Sequence, residues 1–288
     1  MPELPEVEVV KRSLERLVKN LTVKNVKIKD VKLRYKIDKK KILELKGLKL
    51  LKIERRSKFL IFYFKNQKLM LVHLGMTGKF FFIEKDNNYK TSFYYNLDYQ
   101  KDRKHDRVTF FFNNKRKLIY NDIRKFGFIK FLKKNEITNN FHLASLGPEP
   151  LDKDFNFYYL KNYLSGRNRN IKSILMDQKC VSGLGNIYVN EILFLSKVKP
   201  FKLVKKLKNE QIKDIVYFTK KILSQAIRLG GSSIKDFASG KGERGEFQQF
   251  FNVYNKKGLK CSNADCNKKI IRVVISNRST FYCGRCQK

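Results

Sequence analysis

The sequence predicts an α+β fold: a β-rich N-terminal domain entered through one helix, then a helical domain that closes on a metal-bound hairpin. Three observations carry this prediction. Short alternating or apolar runs separated by Asn, Asp, Gly and Lys turns fill the first half, helical apolar spacing takes over after Pro150, and four cysteines crowd between Cys261 and Cys286. Alternation at period two marks half-buried strands, whereas apolar residues three and four apart mark amphipathic helices.

Over 6–20, Val7, Val10, Leu14, Leu17 and Val18 recur at helical spacing, with Lys11, Arg12, Glu15 and Arg16 off that stripe, so a first helix anchors the start of the chain. Strands are expected at 23–28, 48–53, 59–64, 69–74, 79–83, 108–112, 118–120 and 126–132, enough for a sandwich or a barrel. Leu146-Gly147-Pro148-Glu149-Pro150 punctuates the chain, and helical patterns follow at 155–164, 171–177, 186–195 and 209–229. The last is the clearest, through Ile212, Ile215, Val216, Thr219, Ile222, Leu223 and Ala226. Gly230-Gly231-Ser232-Ser233 stops it, and a glycine-rich loop at 240–245 precedes the cysteines. The expected division is 1–146 for the β-rich domain, 147–249 for the helical domain and 250–288 for the metal-bound tail.

The 288 residues carry 64 Lys and Arg against 26 Asp and Glu, a formal net charge of +38. Solubility does not require such an excess, and a polyanionic partner, nucleic acid first, accounts for it. No stretch reaches 18 uncharged apolar residues, and the opening residues lack a basic n-region followed by an apolar run. A soluble, cytoplasmic protein without a membrane partner is the expectation.

Cys261-x4-Cys266-x16-Cys283-x2-Cys286 supplies two paired-ligand knuckles. Four thiolates suit one structural, tetrahedral Zn²⁺, and Cys180 is left as a spare thiol. Between the knuckles, 270–275 and 279–282 read as strands, with Asn277-Arg278 on the turn that joins them. Met1-Pro2-Glu3-Leu4-Pro5-Glu6 has two readings. Prolines and acids suit the positive start of a helix. Alternatively, removal of Met1 leaves a secondary amine that attacks a sugar C1′ to give a cationic iminium, with Glu3 beside it to move protons. Leu74-Gly75-Met76-Thr77-Gly78 and Asp122-Ile123-Arg124-Lys125-Phe126-Gly127 are glycine-bounded turns whose Met, Arg and Phe either fill a surface or wedge into a base stack. Gly183-Leu184-Gly185-Asn186 is either an ordinary helix-helix turn or a place where backbone amides approach a phosphate.

Taken together, Met1-Pro2-Glu3-Leu4-Pro5-Glu6-Val7-Glu8, Arg55-Arg56-Ser57-Lys58, His73-Leu74-Gly75-Met76-Thr77-Gly78, Lys104-His105-Asp106, Arg124-Lys125-Phe126-Gly127, Leu146-Gly147-Pro148-Glu149-Pro150-Leu151, Gly183-Leu184-Gly185-Asn186-Ile187-Tyr188 and Asn277-Arg278-Ser279-Thr280-Phe281-Tyr282-Cys283 resemble formamidopyrimidine-DNA glycosylase, in the family's order and over essentially the whole chain. The resemblance implies an N-terminal β-sandwich with an N-terminal helix, a helix-two-turn-helix domain and a zinc-finger β-hairpin, in a monomer acting on damaged double-stranded DNA. It implies Pro2 as nucleophile, Glu3 as the acid that opens the sugar ring, Lys58 in β-elimination and Arg278 in δ-elimination. It also places Met76, Arg124 and Phe126 in the gap left by an extruded base, with His73, His105 and Asn186 on the DNA.

The implied reaction is excision of 8-oxoguanine and formamidopyrimidines followed by cleavage of the strand. Two alternatives stand beside it: an endonuclease VIII-like glycosylase for oxidised pyrimidines, and a non-enzymatic zinc-ribbon nucleic-acid binder. The first knuckle has four intervening residues where the family usually has two. Asn168 stands where a basic residue is common, flanked by Arg167 and Arg169, and the loop 239–247 matches poorly.

Overall fold

A 15-residue helix, α1 (Leu4–Val18), opens the chain, with Pro5 in its first turn and Glu3 as its N-cap. The chain is described here from a computed structural model covering residues 1–84, 87–90, 103–113, 115–232 and 246–288. The described residues form two compact units, Met1–Ala144 with Leu229–Gln248, and Ser145–Arg228 with Gln249–Lys288.

In the first unit, two antiparallel sheets share one core. One sheet runs β1 (Val23–Ile28), β7 (Asp106–Phe112), β8 (Lys117–Asp122), β5 (Gly78–Glu84), β6 (Asn87–Lys90) in spatial order, and the other β2 (Leu50–Arg56), β3 (Phe59–Phe64), β4 (Lys68–His73), β9 (Phe128–Lys133). The pleat sends alternate residues inward, so Leu60, Phe62 and Phe64 of β3 meet Phe80 and Phe82 of β5, Phe110 and Phe112 of β7, and Leu118 and Tyr120 of β8. The Phe62 and Phe80 rings lie 5.8 Å apart. Val7, Val10, Leu14 and Val18 of α1 join this core, so the predicted apolar stripe is what holds the start of the chain on the sandwich.

The sandwich is the architecture expected, with local differences. The short helix α2 (Lys39–Leu43), capped by Asp38, and strand β6 have too few periodic residues to be read from sequence. Strand β9 begins at Phe128 rather than 126, because Phe126 and Gly127 remain in a turn held by Asp122.

The second unit contains α3 (Phe157–Leu164), α4 (Ile171–Leu175), α5 (Asn186–Leu195) and α6 (Asn209–Arg228), then the hairpin β10 (Ile271–Ile275) and β11 (Arg278–Tyr282). Asn156 and Asn170 cap α3 and α4 by accepting the amides of Tyr159 and Ser173. Helix α6 buries Ile212, Ile215, Val216, Thr219, Ile222, Leu223 and Ala226, the stripe read from sequence. Helix α5 is buried from Ile187 to Phe194. Its Glu191 carboxylate accepts the amides of Asn252, Val253 and Tyr254 at 2.7, 3.0 and 2.8 Å, and the Asn252 side chain at 3.1 Å. Among the described residues, no helix is long and apolar enough to cross a membrane.

Glu191→Ala strands three backbone donors in a buried place, where each unmatched donor costs about 1–3 kcal/mol. Urea unfolding should show a loss of about 3 kcal/mol or more, while Glu210→Ala on the exposed face of α6 changes stability by less than about 0.5 kcal/mol.

Candidate functional site

Pro2 and Glu3 are both buried, Glu3 at 3% exposure, as is Glu6 at 1%. The Glu6 carboxylate accepts the Glu3 amide at 2.8 Å through Oε2, closing the first turn of α1 on itself. Its Oε1 accepts the Ser232 amide at 2.9 Å and the Ser232 hydroxyl at 3.0 Å. Gly231, at φ +80°, runs so close that an added Cβ would sit 3.1 Å from Glu6. Glu6 therefore ties the N-terminal dipeptide to a segment more than two hundred residues away in sequence.

Lys58 lies in the two-residue turn Ser57-Lys58 between β2 and β3, with Ser57 at φ +54° and Lys58 only 7% exposed. Arg55 holds this turn by donating from Nη1 to the Ser57 carbonyl at 3.0 Å, and from Nε to Glu8 of α1 at 2.9 Å. Burial would raise the Glu8 carboxyl, but the Arg12 and Arg55 guanidiniums outweigh it and hold it below the usual carboxylate range. The N-terminal helix and the Lys58 turn are thus joined by an ion pair.

The turns that carry Met76, Arg124 and Phe126 meet in the same unit. Gly75, at φ +62°, packs against the other turn so closely that a Cβ would stand 2.4 Å from the Gly127 amide nitrogen. Thr77 donates to Asp122 Oδ1 at 2.5 Å and accepts the Arg124 amide at 2.9 Å, and Asp122 Oδ2 accepts the Gly127 amide at 2.8 Å. Arg124 and Phe126 are exposed, the guanidinium 4.6 Å from the ring centroid, and Met76 is half-buried. His105 closes a single 3-10 turn, Arg103–His105, and is half-buried.

His73 ends β4, accepts the Gly75 amide through Nδ1 at 3.0 Å and stacks on Phe128 at 5.6 Å. Burial, and then the charges of Lys58 and Arg34, push its pKa down to about 4. The neutral ring accepts through Nδ1, which leaves Nε2 carrying the proton as a donor.

In the second unit, one sulfur atom from each of Cys261, Cys266, Cys283 and Cys286 lies within 4.8 Å of all the others. Cys261 and Cys286 are 3.8 Å apart and Cys266 and Cys283 3.6 Å. Four sulfurs bound at about 2.3 Å to a tetrahedral zinc stand about 3.8 Å apart, so the cage fits one Zn²⁺. Cys180 lies elsewhere in this unit, its thiol pushed up to about 12 chiefly by burial.

Ser276 and Asn277 both take positive φ, a two-residue type I′ turn, so Arg278 opens β11 instead of lying on the turn as expected. Arg278 is exposed. Its strand is held by buried Lys172, which donates to Thr280 Oγ1 at 2.7 Å, by Asn186 Nδ2 on the Ser279 carbonyl at 2.9 Å, and by the Phe281 amide on Asn190 Oδ1 at 2.7 Å. Arg167, Asn168 and Arg169 are all exposed; Arg167 donates to the Tyr163 carbonyl, and Arg169 pairs with Asp177 at 3.4 Å. Of the loop 239–247, residues 239–245 lie outside the described residues.

Sequence models of the formamidopyrimidine-DNA glycosylase N-terminal domain, its H2TH domain, and the zinc finger found in FPG and IleRS match residues 1–129, 146–238 and 258–288. Formamidopyrimidine-DNA glycosylases of Rickettsia bellii and Bacillus cereus are 40% and 39% identical, each match covering 100% of this chain and 100% and 99% of the relative. The chain belongs to the formamidopyrimidine-DNA glycosylase family. A Lactococcus lactis FPG mutant in complex with a Fapy-dG containing DNA is 32% identical, with a TM-score of 0.86 and full coverage of both chains. The Lactococcus lactis protein with an abasic site containing DNA is 33% identical, at 0.85 over 99% of each. The β-sandwich, the helix-two-turn-helix region and the zinc-finger hairpin are those of this family.

Sequence reasoning missed the residues that hold these groups in place, Glu6, Thr77, Asp122 and Lys172. Glu6 alone had a readable signal, since an acid three residues after an N-cap is the capping-box position.

Two outcomes follow from this geometry. Cys283→Ser should lose the one Zn²⁺ per chain and Cys180→Ser should keep it; full zinc in Cys283→Ser by elemental analysis contradicts the ligand set. For His73, the folded pKa of about 4 lies below the ordinary 6.5. The stability contributed by the neutral ring is therefore whole above about pH 6.5 and is lost as pH falls toward 4. Urea midpoints across that interval should fall for the wild type and flatten in His73→Gln, which keeps an acceptor for the Gly75 amide.

Proposed function

We propose that this protein is a base-excision DNA glycosylase and AP lyase for oxidised purines, formamidopyrimidines and 8-oxoguanine, which cuts the strand by β,δ-elimination through a Schiff base on Pro2. The observation that carries the reading is the full-length match to formamidopyrimidine-DNA glycosylases, with Pro2 and Glu3 buried at the head of a helix tied down by Glu6. A non-enzymatic zinc-ribbon binder accounts for the charge and the cysteines and leaves that N-terminal arrangement without a purpose.

Once Met1 is removed, the Pro2 nitrogen is a free secondary amine, and its lone pair is the nucleophile. The lone pair attacks C1′ of the damaged nucleotide while Glu3 delivers a proton to the sugar ring oxygen. The C1′–O4′ bond breaks as the ring oxygen becomes a hydroxyl, and the base departs with the electron pair of its glycosidic bond and takes up a proton. The Pro2 nitrogen, having lost its N–H proton, is left doubly bonded to C1′ as an iminium. That cation withdraws electrons from C1′, so a C2′ proton becomes acidic. Lys58 serves this step, and loss of the C2′ proton expels the 3′ phosphate. Arg278 serves the second elimination, in which the 5′ phosphate leaves. The zinc, held by its four cysteines, keeps the hairpin rigid and takes no part in bond changes.

The base is reached by flipping the nucleotide out, at a cost of about a few kcal/mol in lost stacking. Met76, Arg124 and Phe126 fill the gap, and Arg124 donates to the orphaned base. His73 with its Nε2 proton, His105 and Asn186 contact the DNA backbone, and Arg167 or Arg169 takes the place of a basic residue at Asn168. A solved complex of the Lactococcus lactis FPG with an oxidized pyrimidine containing DNA supports oxidised pyrimidines as a second class of lesion. The enzyme works as a cytoplasmic monomer.

Borohydride reduction in the presence of abasic duplex should trap the protein covalently when Pro2 is free, and an uncleaved N-terminal extension should abolish trapping. Glu3→Gln should bind lesion duplex normally and lose about 10²- to 10⁴-fold in single-turnover excision. Equal trapping by the extended and native forms removes Pro2 as nucleophile.

A further inference from the structure

The two turns that carry Met76, Arg124 and Phe126 lie between ladder pairs, His73 with Phe128 and Gly78 with Asp122, and their backbones are in contact. Within that frame, one carboxylate and one hydroxyl tie the turn residues to one another. Asp122 is fully buried and Thr77 is 7% exposed. Met76 immediately precedes Thr77, whose hydroxyl is fixed on Asp122 Oδ1. Arg124 gives its own amide to that hydroxyl. Phe126 immediately precedes Gly127, whose amide is fixed on Asp122 Oδ2. Each of the three side chains is thus at, or next to, a backbone or hydroxyl group tied to the same pair.

The pair is itself held from behind. Arg107, 6% exposed, donates through Nε and Nη2 to the Asp122 carbonyl at 2.9 and 2.8 Å, and its Nη1 reaches Asp30 at 3.0 Å. Asp30 also takes Lys125 Nζ at 2.7 Å. Glycine is required where the turns meet: besides the close approach at Gly75, a Cβ on Gly127 would stand 2.7 Å from the His73 carbonyl. Neither turn can shift alone without breaking charge-assisted bonds inside a buried contact.

We propose that Asp122, acting with Thr77, is a positioning residue that makes the two turns one rigid wedge, so that insertion beside the lesion and reading of the opposite base are a single event. This rests on the reading of Met76, Arg124 and Phe126 as the residues that enter the duplex. A side chain pressed into a base stack transmits force only if its backbone does not yield, and a displacement of about 1 Å at such a group costs about 10²-fold in rate. The wedge acts on a stacked duplex. An abasic sugar in a single strand has no stack to open and no orphaned base, so the Pro2 chemistry alone handles it.

The test compares single-turnover excision from 8-oxoguanine duplexes, with each of the four opposing bases, against AP-lyase cleavage of a single-stranded abasic oligonucleotide, using full-length zinc-loaded protein. Thr77→Val keeps the side-chain shape and removes both hydroxyl bonds, and Asp122→Ala removes the acceptor of both turns. Each should slow duplex excision about 10- to 10²-fold and flatten the opposite-base ranking, with single-strand lyase unchanged. Asp122→Asn, which accepts from Gly127 and donates to Thr77, should recover most of the duplex rate.

Parallel losses on duplex and single strand in Thr77→Val, or no loss on either, overturn the proposal even if Asp122→Ala does not fold. Arg124→Ala with Phe126→Ala separates the two levels. If that pair is silent on duplex, the wedge reading itself fails. If it is impaired while Thr77→Val and Asp122→Ala behave as wild type, the coupling fails and the wedge stands.

Discussion

The buried carboxylate of Glu6 is the constraint on which the placement of Pro2 and Glu3 depends. A chain terminus ordinarily frays because it gives up conformational freedom for few contacts. Here the terminal dipeptide is pinned from three sides: the apolar stripe of α1 enters the sandwich core, Glu6 closes the first turn through the Glu3 amide, and the same carboxylate reaches Ser232. Glu8 adds the ion pair to Arg55, which in turn orients the turn of Lys58. The nucleophile proposed for Pro2 is placed as firmly as a core residue, although it belongs to the part of a chain least often ordered.

The acids of this protein are its joints. With 26 carboxylates against 64 basic side chains, the acids are too few to pair them all one to one, and a surface of such charge favours a polyanion by its field alone. The few buried acids are used where segments distant in sequence must be fixed: Glu6 to Ser232, Asp122 between two turns, and Glu191 on the backbone of 252–254. A buried carboxylate without donors is expensive, so each of these sites has several. The same cost makes each joint specific, because no other pairing satisfies it.

In the second unit, the zinc hairpin has little apolar core of its own. Phe281, Val253 and Ile270 pack with the cysteines against Phe194, and polar locks from Lys172, Asn186 and Asn190 complete the attachment. Four metal bonds substitute for the burial that so short a segment cannot supply. Arg278 can therefore stand exposed on a strand whose neighbours are all held.

The sequence by itself determined the types of the longer elements, the core stripes and the metal cage. Val7, Val10 and Leu14 on one helical face, Leu60, Phe62 and Phe64 on one pleat, and the spacing of the cysteines are local periodicities, and local periodicity is what a linear text displays. It also showed the motifs Pro2-Glu3, Lys58, Met76, Arg124 to Gly127 and Arg278 as separate short runs. Where strand ends were misjudged, as at 126 and at Asn277-Arg278, a turn conformation decided, through the hold of Asp122 on Gly127 and the paired positive φ values of Ser276 and Asn277. Tertiary structure alone decided which runs share a unit and what holds them. Thr77 and Asp122 are 45 residues apart, and Glu6 and Ser232 are 226 apart. A hydrogen bond between such residues leaves no period in the sequence, because its partner is chosen by the folded path of the backbone.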